Sequence, residues 1–292
     1  MEAFANQVIV GLVRGGLYAL MAVGLTLVLG VMDIPNFAHG ELYMLGAYGA
    51  FFAYSAGLHP LLAILAAGVF AFVIGLLIDR GVFYFLRRKF TDQWVQKTFL
   101  ITVALSLALV NIVQVAWQAR RRGIVRYWEG SVRLGPGIVI PADRFAGLVI
   151  ALFLIILLWL FLSRTRTGRA IRAVSQDETG AVMMGVNLDR INAVTFGLSS
   201  MLAGMAGGTL LSIIPAYPTC GAGPLQSSWF VVILAGLGSV LGSILGGFIV
   251  GIIEALSYNY LGQGWQEVVS LGILVLILVV KPSGLFSRGG ES

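Results

Sequence analysis

The chain has 292 residues, 58% hydrophobic and 11% charged, with a formal net charge of +6. Soluble domains carry about 45–50% apolar and about 25% charged residues, so a water-facing globule is excluded for want of charge. A single cysteine, Cys220, excludes an internal disulfide and a cysteine metal cluster, and the positive charge reads as loop topology rather than nucleic-acid affinity.

Nine apolar stretches follow in chain order, near 8–30, 40–57, 60–78, 98–117, 145–162, 191–213, 228–237, 239–259 and 265–280. An apolar helix needs about 20 residues to cross about 30 Å of hydrocarbon. Runs such as GLVIALFLIILLWLFL lack the alternation of a barrel strand. The expected fold is an all-α integral membrane protein, a polytopic bundle of about 8–9 transmembrane helices in one domain, 1–292. The opening MEAFANQ has no basic region before the first apolar stretch, so no cleavable signal is expected. Glycine, at 38 residues, exceeds what loops absorb and points to close helix packing. Arg14, inside the first stretch, either snorkels to the interface or neutralises Glu254, late in the eighth.

Between the first two stretches lies Asp33-Ile34-Pro35-Asn36-Phe37-Ala38-His39-Gly40-Glu41. Pro35 suits a first helical turn, and Asp33 a position capping it. At about 100° per residue, Asn36, Gly40, Tyr43 and Ala47 then share a face, His39 sits at its edge and Glu41 points nearly the other way. Charge in hydrocarbon is costly, so the start of this helix is either wrapped by protein, lining an aqueous path, or an ordinary interfacial loop. A helix that begins inside a membrane aims free N–H groups and a positive dipole end at a cavity. Asn36, Phe37 and Tyr43 are expected to face such a path, with His39 and Glu41 holding the broken region together.

The loop near 79–97 carries Arg80, Arg87, Arg88, Lys89 and Lys97; the loop 163–190 carries Arg164, Arg166, Arg169, Arg172 and Arg190; the tail carries Lys281 and Arg288. If the seventh and eighth stretches count separately, these twelve share one side, and Arg120, Arg121, Arg122, Arg126, Arg133 and Arg144 occupy the other. The richer side is cytoplasmic by the positive-inside rule, which puts the N-terminus outside. Pro136 and Pro141 make the loop 118–144 compact and extended rather than helical.

Within 163–190, Arg169–Ala173 is helix-compatible, and Gln176-Asp177-Glu178-Thr179 starts a second short helix carrying Ala181, Val182, Met183 and Met184, ended by Gly185. An apolar face on the polar side docks on a protein partner or lies on lipid headgroups. Further on, 228–237 is too short to cross alone and reads as a re-entrant or sharply broken helix. Gly236, Gly238 and Ser239 form the break, with packing or a substrate path as its role. Gly238, Gly242 and Gly246, with Gly247 and Gly251, repeat every fourth residue, a stripe for close helix approach.

No G-x-x-x-x-G-K-[ST] phosphate loop, H-E-x-x-H or G-x-S-x-G motif is present, and the histidines are His39 and His59. No catalytic residue, metal site or cofactor is expected.

The stretches GLVRGGLYALMAVGLTLVLGVMDIPNFAHGELYMLGAY, GRAIRAVSQDETGAVMMGVN, LAGLGSVLGSILGGFIVGIIEAL and VVKPSGLF together resemble the membrane permease subunits of bacterial branched-chain amino acid ABC transporters, nearer the H-type than the longer M-type. The resemblance implies an inner-membrane importer subunit for branched-chain or other hydrophobic amino acids. It implies a second, similar permease, two cytoplasmic ATP-binding subunits and an external solute-binding protein. It makes 163–190 the coupling segment, with Arg169, Arg172, Asp177, Glu178, Ala181, Met184 and Gly185 at the ATPase contact. Permeases for urea, short amides or aromatic acids are the alternative within the family. A secondary transporter using Glu41 or Glu254 for ion coupling is the alternative from another class.

Overall fold

The computed structural model describes residues 2–89, 93–135 and 138–286; Pro136 and Arg288 lie outside them. All nine apolar stretches are helical. Helix α1 is Glu2–Met32, α2 His39–Ser55 and α3 Pro60–Ile78, which continues through a π-turn, Asp79–Phe83, into α4, Tyr84–Lys89. Helices α5 (Trp94–Trp117) and α6 (Ala142–Arg164) precede two short ones, α7 (Arg166–Val174) and α8 (Glu178–Met183). Then come α9 (Leu188–Leu210), α10 (Ala222–Ala235), α11 (Val240–Leu261) and α12 (Gln266–Val280).

Six helical spans among the described residues are long and apolar enough to cross a membrane: those of α1, α3–α4, α5, α6, α9 and α11. That is fewer than the expected 8–9. Helices α2, α10 and α12 have 17, 14 and 15 residues. At about 1.5 Å per residue they reach only about 21–26 Å.

The chain is not wholly α. Strands β1 (Ser131–Gly135) and β2 (Ile138–Pro141) form an antiparallel hairpin, with Val132 opposite Ile140. Its surroundings are tied down: the Tyr127 and Trp128 N–H groups donate to Asp143 Oδ1 at 3.0 and 2.8 Å. The Tyr127 hydroxyl donates to the Gly208 carbonyl at 3.0 Å, and Arg122 and Ala216 exchange backbone bonds at 2.8 and 2.7 Å. The basic run here lies over aromatic faces, Arg121 at 5.2 Å from the Tyr217 ring centre and Arg122 at 5.5 Å from that of Phe52. Because α6 connects the hairpin to α7, the bundle has a hairpin end and an opposite end bearing α8.

Helix α1 is the central post, packed against α6, α9, α10 and α11. It meets α11 antiparallel along glycine: Gly11 and Gly15 lie against Gly251, and Gly247 against Ala19, so close that a Cβ at these glycines would strike backbone. Dispersion between backbones replaces the hydrophobic drive that a lipid surrounding cannot supply. The expected single stripe divides between two partners. Gly247 and Gly251 face α1, whereas Gly242 and Gly246 face the end of α10. No described ion pair joins Arg14 to Glu254. Glu254 instead accepts from the Tyr18 hydroxyl at 2.6 Å and the Ser227 hydroxyl at 3.2 Å, while Arg14 lies 5.6 Å from the Tyr258 ring centre.

Candidate functional site

Two short helices begin in the interior, and their N-termini meet. Helix α2 starts at His39, whose Nε2 lies 3.1 Å from the Met21 carbonyl of α1 and whose Nδ1 lies 3.5 Å from the Ser199 hydroxyl. Ser199 is the middle residue of α9, so α2 begins halfway along that helix. The Ser199 hydroxyl donates to the Gly24 carbonyl at 2.7 Å, which completes a bridge from α1 to α9. Gly221, just before α10, presses its backbone on that of Gly40 so closely that a side chain at either would collide with the other. The two helix N-termini therefore lie side by side, although the Ala38 and His39 N–H groups already donate to Asn36, that of Ala222 donates to Thr219, and Pro224 has none.

The approach to α2 differs from the expected one. Asp33 does not cap a helix and Pro35 does not open one. Asp33 takes a left-handed φ of 52°, and the chain stays irregular until His39, so Asn36 lies before the helix and not on its face. Helix α5 pins this segment: Trp94 Nε1 donates to the Met32 carbonyl at 3.0 Å and the Thr102 hydroxyl to that of Pro35 at 3.0 Å. Asn36 Oδ1 accepts from the Ala38 N–H at 3.0 Å in a local turn. Phe37 stacks on Trp229 of α10 and meets Phe99 of α5 edge-on, both with ring centres 5.1 Å apart. Asn36, His39 and Tyr43 are fully buried and Glu41 nearly so.

This burial leaves polar atoms without partners: Asn36 Nδ2, Glu41 Oε2, the Tyr43 hydroxyl and Trp229 Nε1. An unpaired buried polar group costs about 1–3 kcal/mol, so several in one region mark a place kept polar at the expense of stability. Beside it, towards the α8 end, is a cavity of about 540 Å³ whose lining includes Asp33, Pro35, Trp229, Gly30 and Gly238. Gly236 and Gly238 make the break with φ of 96° and 82°, and Gly238 rests on Gly30. Ser239 caps α11 through the Gly242 N–H at 3.1 Å, and Gly236 packs against Gly284. Of the three break residues, Gly238 is the one lining this cavity. Trp229, Thr102 and Ser199 were missed in sequence, although a serine and threonine inside apolar runs are signals of buried hydrogen bonding.

The segment between α6 and α9 is built in the opposite sense. The Asp177 carboxylate accepts from the Gly180 N–H at 3.0 Å and caps α8, so the helix starts at Glu178, not Gln176. Gly185, at φ 83°, ends it, and Asn187 caps α9 through the Arg190 N–H at 3.0 Å. Ala181 is buried, whereas Val182, Met183 and Met184 are 47%, 81% and 87% exposed. Arg169 and Arg172 on α7 are exposed beside them. Nearby, Arg87 holds the buried Asp79 with both guanidinium nitrogens at 2.9 and 3.3 Å and lies 3.7 Å from Asp189 of α9.

A family described as the permease component of branched-chain amino acid transport systems matches residues 7–278. The high-affinity branched-chain amino acid permease protein BraD of Pseudomonas aeruginosa is 31% identical, over 98% of this chain and 96% of that one. The corresponding LivH of Escherichia coli is 33% identical over the same shares. Among solved structures, PsaBC from Streptococcus pneumoniae in complex with Fab shares the fold, with a TM-score of 0.53 and 13% identity over 96% of this chain and 92% of that one. The chain belongs to the permease components of branched-chain amino acid transport systems, and is a transport subunit rather than an enzyme.

Proposed function

We propose that this chain is one of two homologous permeases in an ABC importer of the bacterial inner membrane, carrying branched-chain or other hydrophobic amino acids. The observation that carries the reading is identity of 31–33% along nearly the whole chain to permeases named for that transport. The hairpin end faces outward and receives substrate from a solute-binding protein. The α8 end is cytoplasmic and docks two ATP-binding subunits through Val182, Met183 and Met184, whose exposure in water otherwise has no compensation.

Helices α2 and α10 act as half-spans, α2 running outward and α10 inward from their meeting point, and together with α12 they bring the membrane-embedded helices to nine. The substrate route passes their N-termini between Asn36 and Tyr43, where the unpaired Asn36 Nδ2 and Tyr43 hydroxyl can donate to a carboxylate and Phe37 with Trp229 supplies an apolar wall. The segment from Asn36 to Tyr43 carries no lysine or arginine, which favours release. The test is uptake of radiolabelled leucine by proteoliposomes containing the full complex. ATP-dependent uptake that vanishes without the ATP-binding subunits is expected. Uptake driven by an ion gradient alone would reject the reading, and so would uptake of urea or short amides in place of leucine.

A further inference from the structure

A second cavity, of about 420 Å³, lies towards the hairpin end among α1, α6, the end of α9, α10, α11 and α12. Its size falls within the range of about 300–1,000 Å³ usual for small-molecule sites. We propose that it is a receiving site for an α-amino acid zwitterion with a branched apolar side chain, bounded by the first turn of α10 but distinct from the segment 36–43. This rests on the reading of the chain as an amino acid permease.

Charges of both signs line it: Arg14 and Arg144 on one hand, Glu254 and Glu267 on the other. The carboxylates are already held by neutral donors. Glu254 takes the Tyr18 and Ser227 hydroxyls, and Glu267 accepts from Gln226 Nε2 at 3.4 Å. Such bonds fix a carboxylate in place and leave lone pairs for an ammonium group. The arginines have no carboxylate at ion-pair distance among the described residues. Arg14 feels Glu254 across the cavity without contact, so its planar fork is left to match another carboxylate. Leu17, Leu210 and Ile213 form an apolar flank, and Gly223 leaves open space at the first turn of α10. A simple anion would meet two carboxylates and a simple cation two arginines. A zwitterion with an apolar side chain satisfies all three surfaces.

The test uses the complete transporter in nanodiscs and the diazirine analogue photo-leucine, with adducts mapped by peptide mass spectrometry. Labelling is expected on the peptides containing Leu17 and Leu210–Ile213. Leucine should compete it away, and leucinamide, which lacks the carboxylate, should not. Arg14→Gln and Arg144→Gln should each reduce it by about tenfold or more, the order for losing a charge-assisted bond. If Arg14→Gln fails to assemble, Arg144→Gln, in the first turn of α6, decides alone. Labelling confined to residues 36–43, or a phospholipid retained in the cavity that leucine cannot displace, would overturn the assignment. ATP-driven leucine uptake without labelling here rejects this site and leaves the permease reading standing; absence of leucine uptake by the unmodified complex rejects that reading itself.

Discussion

The meeting point of α2 and α10 and the α7–α8 segment break the solvent rule in opposite directions. The first buries Asn36, Glu41, Tyr43 and the Nε1 atom of the half-buried Trp229 with polar atoms unpaired. The second satisfies its helix ends through Asp177 and Asn187 yet exposes Val182, Met183 and Met184. The contrast teaches that the two are incomplete in different ways. The interior region lacks hydrogen-bond partners and the surface region lacks apolar cover; on the proposed reading a polar solute supplies the first and a protein the second.

The contrast should break most completely at Gly221→Leu. The new side chain has no room against the Gly40 backbone, so the two helix ends must part. We expect no monodisperse permease by size-exclusion chromatography in detergent; a normal elution profile with full uptake would mean that the ends are not in functional contact. Met184→Asp should act only at the surface region. It replaces apolar contact with a charge whose unpaired burial costs several kcal/mol, so uptake should fall by at least about tenfold while the protein remains folded. Met184→Leu should stay within about twofold, because the swap conserves volume. Equal uptake by both variants, with the ATP-binding subunits still co-purifying, would remove α8 from the docking surface.

A third measurement sharpens the interior side. Single cysteines at Asn36, Phe37 and Tyr43, in a Cys220→Ser background, should react with a small water-soluble thiol reagent in a nucleotide-dependent way. Phe37 is half-buried, so its position should react in the state described here, whereas Asn36 and Tyr43 are fully buried and should open only in another. Inertness at all three in every nucleotide state would reduce the segment to a structural elbow. The smallest effect is expected from Asp177→Ala, which removes one N-cap, worth about 1 kcal/mol. Fraying of α8 should lower uptake by about two- to fivefold, well short of Met184→Asp; a loss as large as that variant's would assign Asp177 a direct contact.

Much of this was legible in sequence because its causes are local. Apolar runs gave the nine helices, and Gly185 marked the end of α8 within the 163–190 segment through a left-handed turn. The start of α2 was misread because Asp33 and Pro35 carry good local start signals, while Thr102 and Trp94, about sixty residues away in sequence, hold the segment open. The start of α10 was missed by six residues because Gly223 and Pro224 look like breakers. Proline is tolerated in a first turn, where its missing N–H has no acceptor to lose. The glycine stripe showed that something lies close, but not that Gly247 and Gly246 face different partners. The Arg14 cavity was illegible for the same reason, since its charges come from α1, α6, α11 and α12.

The glycine seam between α1 and α11 also sets a timetable. Gly15 and Gly251 are separated by most of the chain. At about 5–20 residues per second, the ribosome needs roughly 10–50 s to travel from one to the other. For that time α1 exists as a newborn helix with a bare, narrow groove along one side and its lifelong neighbour not yet made. Whatever shelters the groove meanwhile, insertion machinery or lipid, must leave when α11 arrives. A ribosome stalled before residue 240 would hold this protein at a stage where its central post lacks its glycine-seam partner.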